Sequence, residues 1–386
     1  NRALVLGTIR DRGPISRTAI ADETRLSLGS VSGITGDLID HGLVIEQEEG
    51  VSTGGRRPVL LALNVKAGLV VGVKLTDEQI VAALTDLGAE IIDQRAVPLG
   101  EDRRPEAVVE TLATLVDDLR ARHDGQRIFG LGLGMAGVID RRAGVCRFSP
   151  FLHWRDVPLG RMLQQRLDLP VVIENDVNSL AMAERWFGAG AETADFLVVT
   201  LGRGIGLGMV LDGRLYRGGR GGGGEFGHIT VDPNGPVCNC GKRGCLEALA
   251  GDPAILRDAR NILGKAVTMA EAADLARAGN TAARGIFETA GATIGLALSH
   301  LVNIFNPTRL IVGGEGAQAL DLLLPPMQTA MEANCFDGLL ADVQLIVEPW
   351  GDDAWARGAA SLMLDELFRP TLYHGEEGKS WVMGDG

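Results

Sequence analysis

Aromatic residues are scarce in this chain, at 4% of 386 residues, while 46% of the residues are hydrophobic and 53 are glycine. This composition predicts a compact globular protein with many tight turns, long enough for two or three domains. No uninterrupted apolar run reaches eighteen residues, so we expect no membrane-spanning helix. No basic-then-apolar leader opens the chain, so we expect no signal peptide.

An excess of basic residues is also missing, since the formal net charge is −13. This charge argues against a protein that coats nucleic acid generally. A small DNA-binding unit remains compatible with it, because charge acts within about 8–10 Å at physiological salt. The chain has five cysteines, of which Cys146 and Cys335 stand apart and are expected to be buried thiols. A reducing cytoplasm is the expected location.

The other three cysteines lie with a histidine within eighteen residues, in the spacing H-x9-C-x-C-x4-C. Zn²⁺ prefers four tetrahedral nitrogen and sulfur ligands, and three cysteines with one histidine are typical of a structural site. Gly241 and Gly244 suit a loop around a small ion, because glycine tolerates positive φ. The alternative is a disulfide beside an unrelated histidine, which the odd number of clustered cysteines disfavours. The predicted zinc ligands are His228, Cys238, Cys240 and Cys245.

The residues around these ligands follow the pattern E-x-G-H and then C-x-C-G-x-x-G-C-L-E. This pattern resembles the zinc loop of the ROK family of repressors and sugar kinases. The resemblance extends over nearly the whole chain. It implies an α/β fold with a two-lobed, actin- or hexokinase-like (ribonuclease H-like) body around a sugar cleft. It also implies that Glu225, His228 and Glu247 border the sugar, with His228 turning one ring nitrogen to the metal and the other to the ligand.

Residues 1–65 read as a winged helix-turn-helix. Apolar residues at helical spacing predict helices over 2–12, from Ser16 to Thr24, and over 30–42, and the run Leu43-Val44-Ile45 predicts a strand. Gly13-Pro14 should end the first helix, and Ser16 should cap the second. The wing would then be the hairpin between Ile45 and Leu61.

The tip of that hairpin contains Gly-Gly-Arg-Arg-Pro, which resembles the wing of ROK repressors and suits phosphates or the minor groove. A solvated turn is the alternative reading. The third helix would be the recognition helix. It has small hydroxyl side chains but no Arg, Asn or Gln, which recognise a base through two hydrogen bonds at once. With seven basic and eight acidic residues, this unit should depend on placed arginines and on dimerisation. The candidate DNA contacts are Ser27, Ser30, Ser32, Thr35, Arg56 and Arg57.

After residue 66 a series of short strands and then helices occurs twice, which predicts two related α/β lobes with a cleft between them. We assign lobe 1 to 66–190, completed by a helix near 353–368, and lobe 2 with the zinc loop to 191–350. The segment 371–386 is assigned as a C-terminal extension that is either a tail or a contact with a neighbouring subunit.

The run Ile-Glu-Asn-Asp-Val at 173–177 places polar residues between a strand and a helix, at the edge of a sheet where α/β proteins bind ligands. A simple helix cap is the alternative. The run resembles the ROK sugar-binding segment, with Asp176 at the position of the kinase general base. Phe151 stands where the family usually has a sugar-contacting asparagine, which puts glucose specificity in doubt. With the zinc-loop residues, the predicted sugar set is Gly134, Gly137, Asn175, Asp176, Glu225, His228 and Glu247.

The phosphate-binding loops of a kinase are degenerate. ROK kinases carry D-x-G-G-T in the first hairpin, where this chain has Lys-Leu-Thr-Asp-Glu, and Arg203 replaces a threonine in the second loop, L-G-T-G-I-G. Lost glycine amides and added carboxylates disfavour bound phosphate. We expect Arg203 to pair with one of the two acids across the cleft, and ATP not to bind. The degenerate ATP site comprises Lys74, Asp77, Glu78, Arg203 and Glu315.

These features predict a sugar-sensing transcriptional regulator that binds operator DNA through its head and a monosaccharide in the cleft. It should form a homodimer or homotetramer, away from membranes, and catalyse no reaction. One alternative is an active ATP-dependent hexokinase or glucokinase with an accessory DNA-binding head. The second is a DNA-binding protein whose sugar pocket is a relic.

Overall fold

The computed structural model describes residues 1–47, 58–264, 266–314 and 319–368. The predicted DNA contacts Arg56 and Arg57, the ATP-site residue Glu315 and the extension 371–386 lie outside the described residues. Within the described ranges the chain forms an N-terminal head (1–65) and a body of two α/β lobes, so the predicted α/β fold class is confirmed.

The N-terminal head has three helices followed by a hairpin, and its three strands form an antiparallel sheet in the order β1-β3-β2. Helix α1 ends before Gly13, and the Ser16 hydroxyl accepts a hydrogen bond from the Ala19 amide, as predicted. The third helix begins at Leu28 rather than residue 30, because Ser27 caps it by accepting from the Ser30 amide. The elements are α1 (Arg2–Arg12), β1 (Ile15–Ser16), α2 (Arg17–Thr24), α3 (Leu28–Asp40), β2 (Val44–Gln47) and β3 (Leu60–Leu63).

Lobe 1 is built on a five-stranded sheet in the order β11-β7-β4-β5-β6, with β11, β7 and β4 parallel. A small sheet of β8, β9 and β10 adjoins it. The helix predicted to follow the run 173–177 begins at Asp176, because Asn175 caps it. The elements are β4 (Leu69–Leu75), β5 (Gln79–Asp86), β6 (Ile91–Pro98), α4 (Pro105–Arg122), β7 (Ile128–Met135), β8 (Val138–Asp140), β9 (Val145–Ser149), β10 (Trp154–Val157), α5 (Leu159–Leu167), β11 (Val171–Asn175) and α6 (Asp176–Phe187).

Lobe 2 repeats this plan with a sheet in the order β14-β13-β12-β15-β16. Beyond that sheet, residues between 252 and 305 form three helices, α8, α9 and α10. The elements are β12 (Phe196–Leu201), β13 (Ile205–Leu211), β14 (Arg214–Tyr216), α7 (Leu246–Ala250), α8 (Asp252–Leu263), α9 (Met269–Arg277), α10 (Thr281–Phe305), β15 (Arg309–Gly313), α11 (Leu320–Asn334), β16 (Gln344–Glu348) and α12 (Asp352–Phe368).

Helix α12 leaves lobe 2 and packs on the sheet of lobe 1 against α6. Glycines in two strands make this approach possible. A Cβ on Gly72 would lie 2.1 Å from the Ala356 carbonyl oxygen, and one on Gly132 would lie 1.8 Å from that of Ala359. Larger residues at these positions would push the helix off the sheet.

Helix α10 is long and apolar enough, by length and composition, to cross a membrane. However, 61% of its most apolar window is buried inside the molecule, where it packs on α7, α8, α9 and α11. A core helix of a globular protein has the same properties, so this is weak evidence for a membrane span.

The N-terminal head does not have a core separate from the body. Its buried residues belong to one hydrophobic cluster with residues of β4, β7 and α12. The head is therefore docked on lobe 1, and movements of α12 or α6 bear directly on it. The cluster includes Val5, Leu6, Ile9, Val31 and Leu38 from the head and Val70, Phe129, Met363, Leu364 and Phe368 from the body.

Candidate functional site

The predicted zinc ligands come together in lobe 2. The ligand atoms of His228, Cys238, Cys240 and Cys245 all lie within 4.8 Å of one another. The Cys240 and Cys245 sulfurs are 3.6 Å apart, and the Cys238 sulfur lies 3.5 Å from Nδ1 of His228. A tetrahedral zinc ion separates two sulfurs by about 3.8 Å, and a sulfur from a nitrogen by about 3.5 Å. The cluster can therefore hold a metal ion such as zinc, whereas 3.6 Å is far longer than a disulfide bond of about 2.05 Å.

The backbone of this loop is held by tight glycine turns and by a hydrogen bond from a lysine side chain. Gly241 and Gly244 have φ of +89° and +64°, as the sequence predicted. A Cβ on Gly244 would lie 1.4 Å from the Asp232 carbonyl oxygen, so only glycine fits there. Lys242 Nζ donates to the His228 carbonyl at 2.6 Å and ties the loop to the ligand-bearing turn.

Burial, together with the contacts with Cys240 and Cys238, raises the pKa of the Cys245 thiol to about 12. Because metals bind thiolates, a metal ion has to displace this proton. Metal affinity at this cluster should therefore increase with pH.

On the cleft side of the cluster, His228 faces two different partners. Its Nδ1 lies toward Cys238, and its Nε2 lies 4.0 Å from a carboxylate oxygen of Glu225. Burial raises the pKa of Glu225, the His228 ring lowers it, and the charge of Glu247 raises it. Glu247 lies in the first turn of α7, two residues after Cys245, and accepts a hydrogen bond from the Ile205 amide at 3.3 Å. The three predicted lobe-2 sugar residues thus form one group beside the metal ligands.

The predicted sugar residues of lobe 1 lie where β11 passes into α6. Asn175 accepts from the Asn178 amide at 3.1 Å and donates to the Gly137 carbonyl at 3.2 Å, so both ends of its amide hold local structure. Asp176 accepts from the Val177 amide at 3.0 Å. The contacts of Asn175 are therefore those of a helix cap, the alternative considered above. Asp176 is the first residue of α6.

The two glycines of this group allow close backbone approach. Gly137 has φ of +131°, and a Cβ there would lie 2.2 Å from the Phe148 carbonyl oxygen. A Cβ on Gly134 would lie 2.7 Å from the Ser179 hydroxyl oxygen on α6. These glycines bring the β8–β9 hairpin and α6 against the end of β7.

Sequence reasoning missed a buried ion pair between the two lobes. Glu174 is fully buried at the end of β11 and accepts from the Asn175 amide at 3.0 Å and from Asn178 Nδ2 at 3.1 Å. Its other oxygen accepts from Nε of Arg217, in lobe 2. Arg217 begins the glycine-rich loop that ends at Glu225, and its carbonyl accepts from the Gly223 amide at 3.0 Å. The glycine run predicts a tight loop after Arg217, but no feature of the sequence predicts that Arg217 pairs with Glu174.

The two loops that were predicted to form a degenerate phosphate site are in contact across the lobes. Arg203 Nη1 donates to both carboxylate oxygens of Asp77, at 3.0 and 2.9 Å, which is one of the two pairings predicted. Its guanidinium carbon lies 4.5 Å from the centroid of the Phe151 ring. Lys74 is buried, and its Nζ lies 4.7 Å from the ring centroid of Trp355. The turn before Glu78 is closed by the Thr76 hydroxyl, which accepts from the Glu78 amide at 3.2 Å.

One predicted DNA contact is wrong in this structure. Thr35 is fully buried, and its hydroxyl accepts from Arg17 Nε at 3.1 Å, so it belongs to the core of the head. The helical period turns position 35 inward, beside the buried Val31 and Leu38. Ser27, Ser30 and Ser32 are exposed on α3, although the first two share a hydrogen bond of 2.8 Å within the cap.

Comparison with known proteins places these features in a family. The model of the ROK family matches residues 70–366. A putative xylose repressor of Caldicellulosiruptor sp. (strain Rt8B.4) is 34% identical over 388 residues, covering 95% of this chain and 96% of that protein. A crystal structure of a ROK family transcriptional regulator, a homolog of the E. coli MLC protein, has a TM-score of 0.86 and 26% identity, covering 95% of this chain and 96% of its own.

The body alone is also similar to enzymes of the family. A ROK family glucokinase from Streptomyces griseus, solved with glucose and AMPPNP, has a TM-score of 0.66 and 30% identity, and it covers 76% of this chain and 99% of its own. The regulator therefore covers a larger share of this chain than the kinase does, 95% against 76%. With a matching family model over most of its length and a 34% identical relative over 95% of it, the chain belongs to the ROK family.

Proposed function

We propose that the protein is a sugar-responsive transcriptional repressor. The observation that carries this proposal is the coverage: a repressor and a regulator match 95% of this chain, whereas a ROK family glucokinase matches 76% of it. The three-helix head at the N-terminus supports the same reading. A winged helix-turn-helix docked on a sugar-kinase body combines a DNA-reading unit with a small-molecule cleft. Cytoplasmic location and assembly as a homodimer or homotetramer, which pairs two reading heads, belong to the same proposal.

The effector is a monosaccharide held between the lobes by Asn175 and Asp176 on one side and Glu225, His228 and Glu247 on the other, with Gly137 admitting it close to the backbone. Xylose is the first candidate, because two relatives that match 95% of this chain are named putative xylose repressor and xylose repressor. Phe151, in place of an asparagine, supports an effector other than glucose.

His228, Cys238, Cys240 and Cys245 would hold a structural zinc ion, since their spacing in the structure suits a tetrahedral ion. Zinc would fix the orientation of the His228 ring and the start of α7. The chain's own contribution is to aim His228 Nε2, Glu225 and Glu247 at one face of the cleft.

Phosphoryl transfer is not part of this function. It depends on amide groups and cations arranged around phosphate. In this chain the side chain of Arg203 is bound to Asp77, and Lys74 is buried against Trp355. Both observations support a body that senses a sugar and leaves it unchanged.

Isothermal calorimetry of the zinc-loaded protein against xylose, other pentoses, hexoses, N-acetyl sugars and ATP tests the proposal, together with a DNA-binding assay with and without the sugar that binds. We expect heat from a sugar, none from ATP, and an altered operator affinity in the presence of the sugar. Asp176→Asn should weaken sugar binding, and an unchanged Kd would favour a relic pocket. Formation of ADP on addition of sugar and ATP would establish the kinase alternative instead.

A further inference from the structure

The mouth of the cleft is closed by three side chains from both lobes. Arg203 of lobe 2 lies between Asp77 and Phe151, which both belong to lobe 1. Its guanidinium donates two hydrogen bonds to the carboxylate and covers the aromatic ring at 4.5 Å. We call this set of Arg203, Asp77 and Phe151 the interlobe gate.

The gate adjoins the proposed sugar site directly. Glu247, one of the proposed sugar residues, accepts from the amide of Ile205, two residues after Arg203. A Cβ on Gly204 would lie 3.1 Å from the Glu247 carboxylate. The Gly202 carbonyl accepts from the Asp252 amide at 2.9 Å, which fixes the other side of the Arg203 turn. Any group that extends from the sugar toward this turn meets the gate.

Three cations of lobe 2 near this part of the cleft already have acceptors. Arg203 is bound to Asp77, Arg217 is bound to the buried Glu174, and Lys242 Nζ is bound to the His228 carbonyl. Carboxylates meanwhile line the proposed sugar site, on Asp176, Glu225 and Glu247. A phosphate ester carries up to two negative charges at neutral pH and needs donors or cations that are not already neutralised. A neutral polyol needs hydrogen-bond acceptors, which carboxylates supply.

We infer that the interlobe gate determines specificity by rejecting phosphorylated sugars, so that the effector is a free, uncharged sugar. This inference rests on the proposed sugar site and adds the residues that select the ligand's charge state. Asp77 is the decisive member, because it neutralises the cation that would otherwise face a phosphate group. Phe151 adds a second contact to the same guanidinium, 4.5 Å from its ring centroid.

Calorimetric titration of the protein with a free sugar and with its phosphate ester tests the inference. The two pairs are xylose with xylose 5-phosphate, and glucose with glucose 6-phosphate. The wild-type protein should bind the free sugar of a pair and give no measurable heat with its phosphate ester. Asp77→Asn should gain affinity for the ester by about tenfold, the size expected for one charge-assisted hydrogen bond to Arg203. The double variant with Arg203→Ala should lose that gain. Asp156→Asn is the matched control, because it removes an aspartate paired with Arg147 at 3.0 Å elsewhere in lobe 1.

Inorganic phosphate provides a readout that does not require the sugar site. It should raise the melting temperature of Asp77→Asn, and not that of the wild type, Asp156→Asn or the double variant. Wild-type protein that binds a phosphate ester more tightly than its free sugar would overturn the inference. So would an Asp77→Asn variant that gains affinity for neither the esters nor phosphate. Absence of heat with every sugar would count against the proposed function, while the phosphate response would still decide on the gate.

Discussion

The guanidinium of Arg10, in the first helix of the head, lies 4.2 Å from the ring centroid of Trp186 near the end of α6. The same guanidinium lies 5.2 Å from the ring of Phe368, the last residue of α12. Helix α6 begins at Asp176, one of the proposed sugar residues, and Trp186 lies ten residues later, about 15 Å along the helix. A displacement of α6 on sugar binding would therefore reach α1 directly.

Replacing Trp186 by leucine should uncouple the two sites. The variant retains an apolar side chain but loses the flat ring beneath Arg10. We expect near wild-type affinities for sugar and DNA measured separately, and a smaller effect of sugar on DNA affinity. Coupling free energies are typically 1–3 kcal/mol, so a loss of half of this is measurable by fluorescence anisotropy. Arg155→Ala is the control, since Arg155 makes the same type of contact with Phe148, at 4.6 Å, away from the head. Unchanged coupling would exclude this route.

Removing one metal ligand should abolish metal and sugar binding together. In Cys240→Ser the cluster loses a thiolate, so the His228 ring and the start of α7 are no longer held in place. Metal content by mass spectrometry and sugar affinity by calorimetry measure the two effects. Cys335→Ser, which changes a thiol outside the cluster, should retain both. Wild-type sugar affinity in a metal-free Cys240→Ser protein would contradict the link.

Arg57→Ala should weaken operator binding with a shallower dependence on salt. Removing one cation that neutralises a phosphate reduces the slope of log K against log salt by about 0.9. The measurement is a series of DNA titrations between low and physiological salt. Arg95→Ala removes the same charge from an exposed strand of the body and should leave the slope unchanged. An unaltered slope for Arg57→Ala would mean that the wing residue binds no phosphate.

Glu184 should make the protein less stable as the pH rises above 4.5. Burial raises the pKa of this carboxyl from its ordinary value of 4.5, against the hydrogen bonds it accepts from Trp350 Nε1 and the Ala189 amide. The folded protein then binds more protons than the unfolded chain, so the contribution of this group to stability is greatest below pH 4.5 and declines from there up to the raised pKa.

Denaturant unfolding of the wild type and of Glu184→Gln at a series of pH values measures this effect. The difference in unfolding free energy should shift in favour of the variant as pH rises from 4.5, and effects common to both proteins, such as cysteine protonation, cancel. Glu110→Gln is the opposite control, because hydrogen bonds from Arg166 lower the pKa of Glu110. For Glu110→Gln, the difference in unfolding free energy should shift in favour of the wild type as the pH rises. Equal pH profiles of unfolding free energy for all three proteins would contradict the raised pKa of Glu184.

The sequence by itself determined the features that are local along the chain. The metal cluster was predictable because its four ligands lie within eighteen residues and metal chemistry fixes their types. The cap at Ser16, the left-handed glycines of the loop and the doubled lobe plan follow from short-range rules of turns and helices. The prediction that the first phosphate loop is degenerate likewise rests on five consecutive residues.

Only the tertiary structure decided which distant groups meet. Arg203 had two acids within reach, and the placement of the lobes gives it Asp77, 126 residues away. The buried pair of Glu174 and Arg217, and the contact of Arg10 with Trp186, depend equally on how separate elements pack. Periodicity specifies that a residue faces inward, but not which partner it meets, because partners are selected by close packing of the whole molecule.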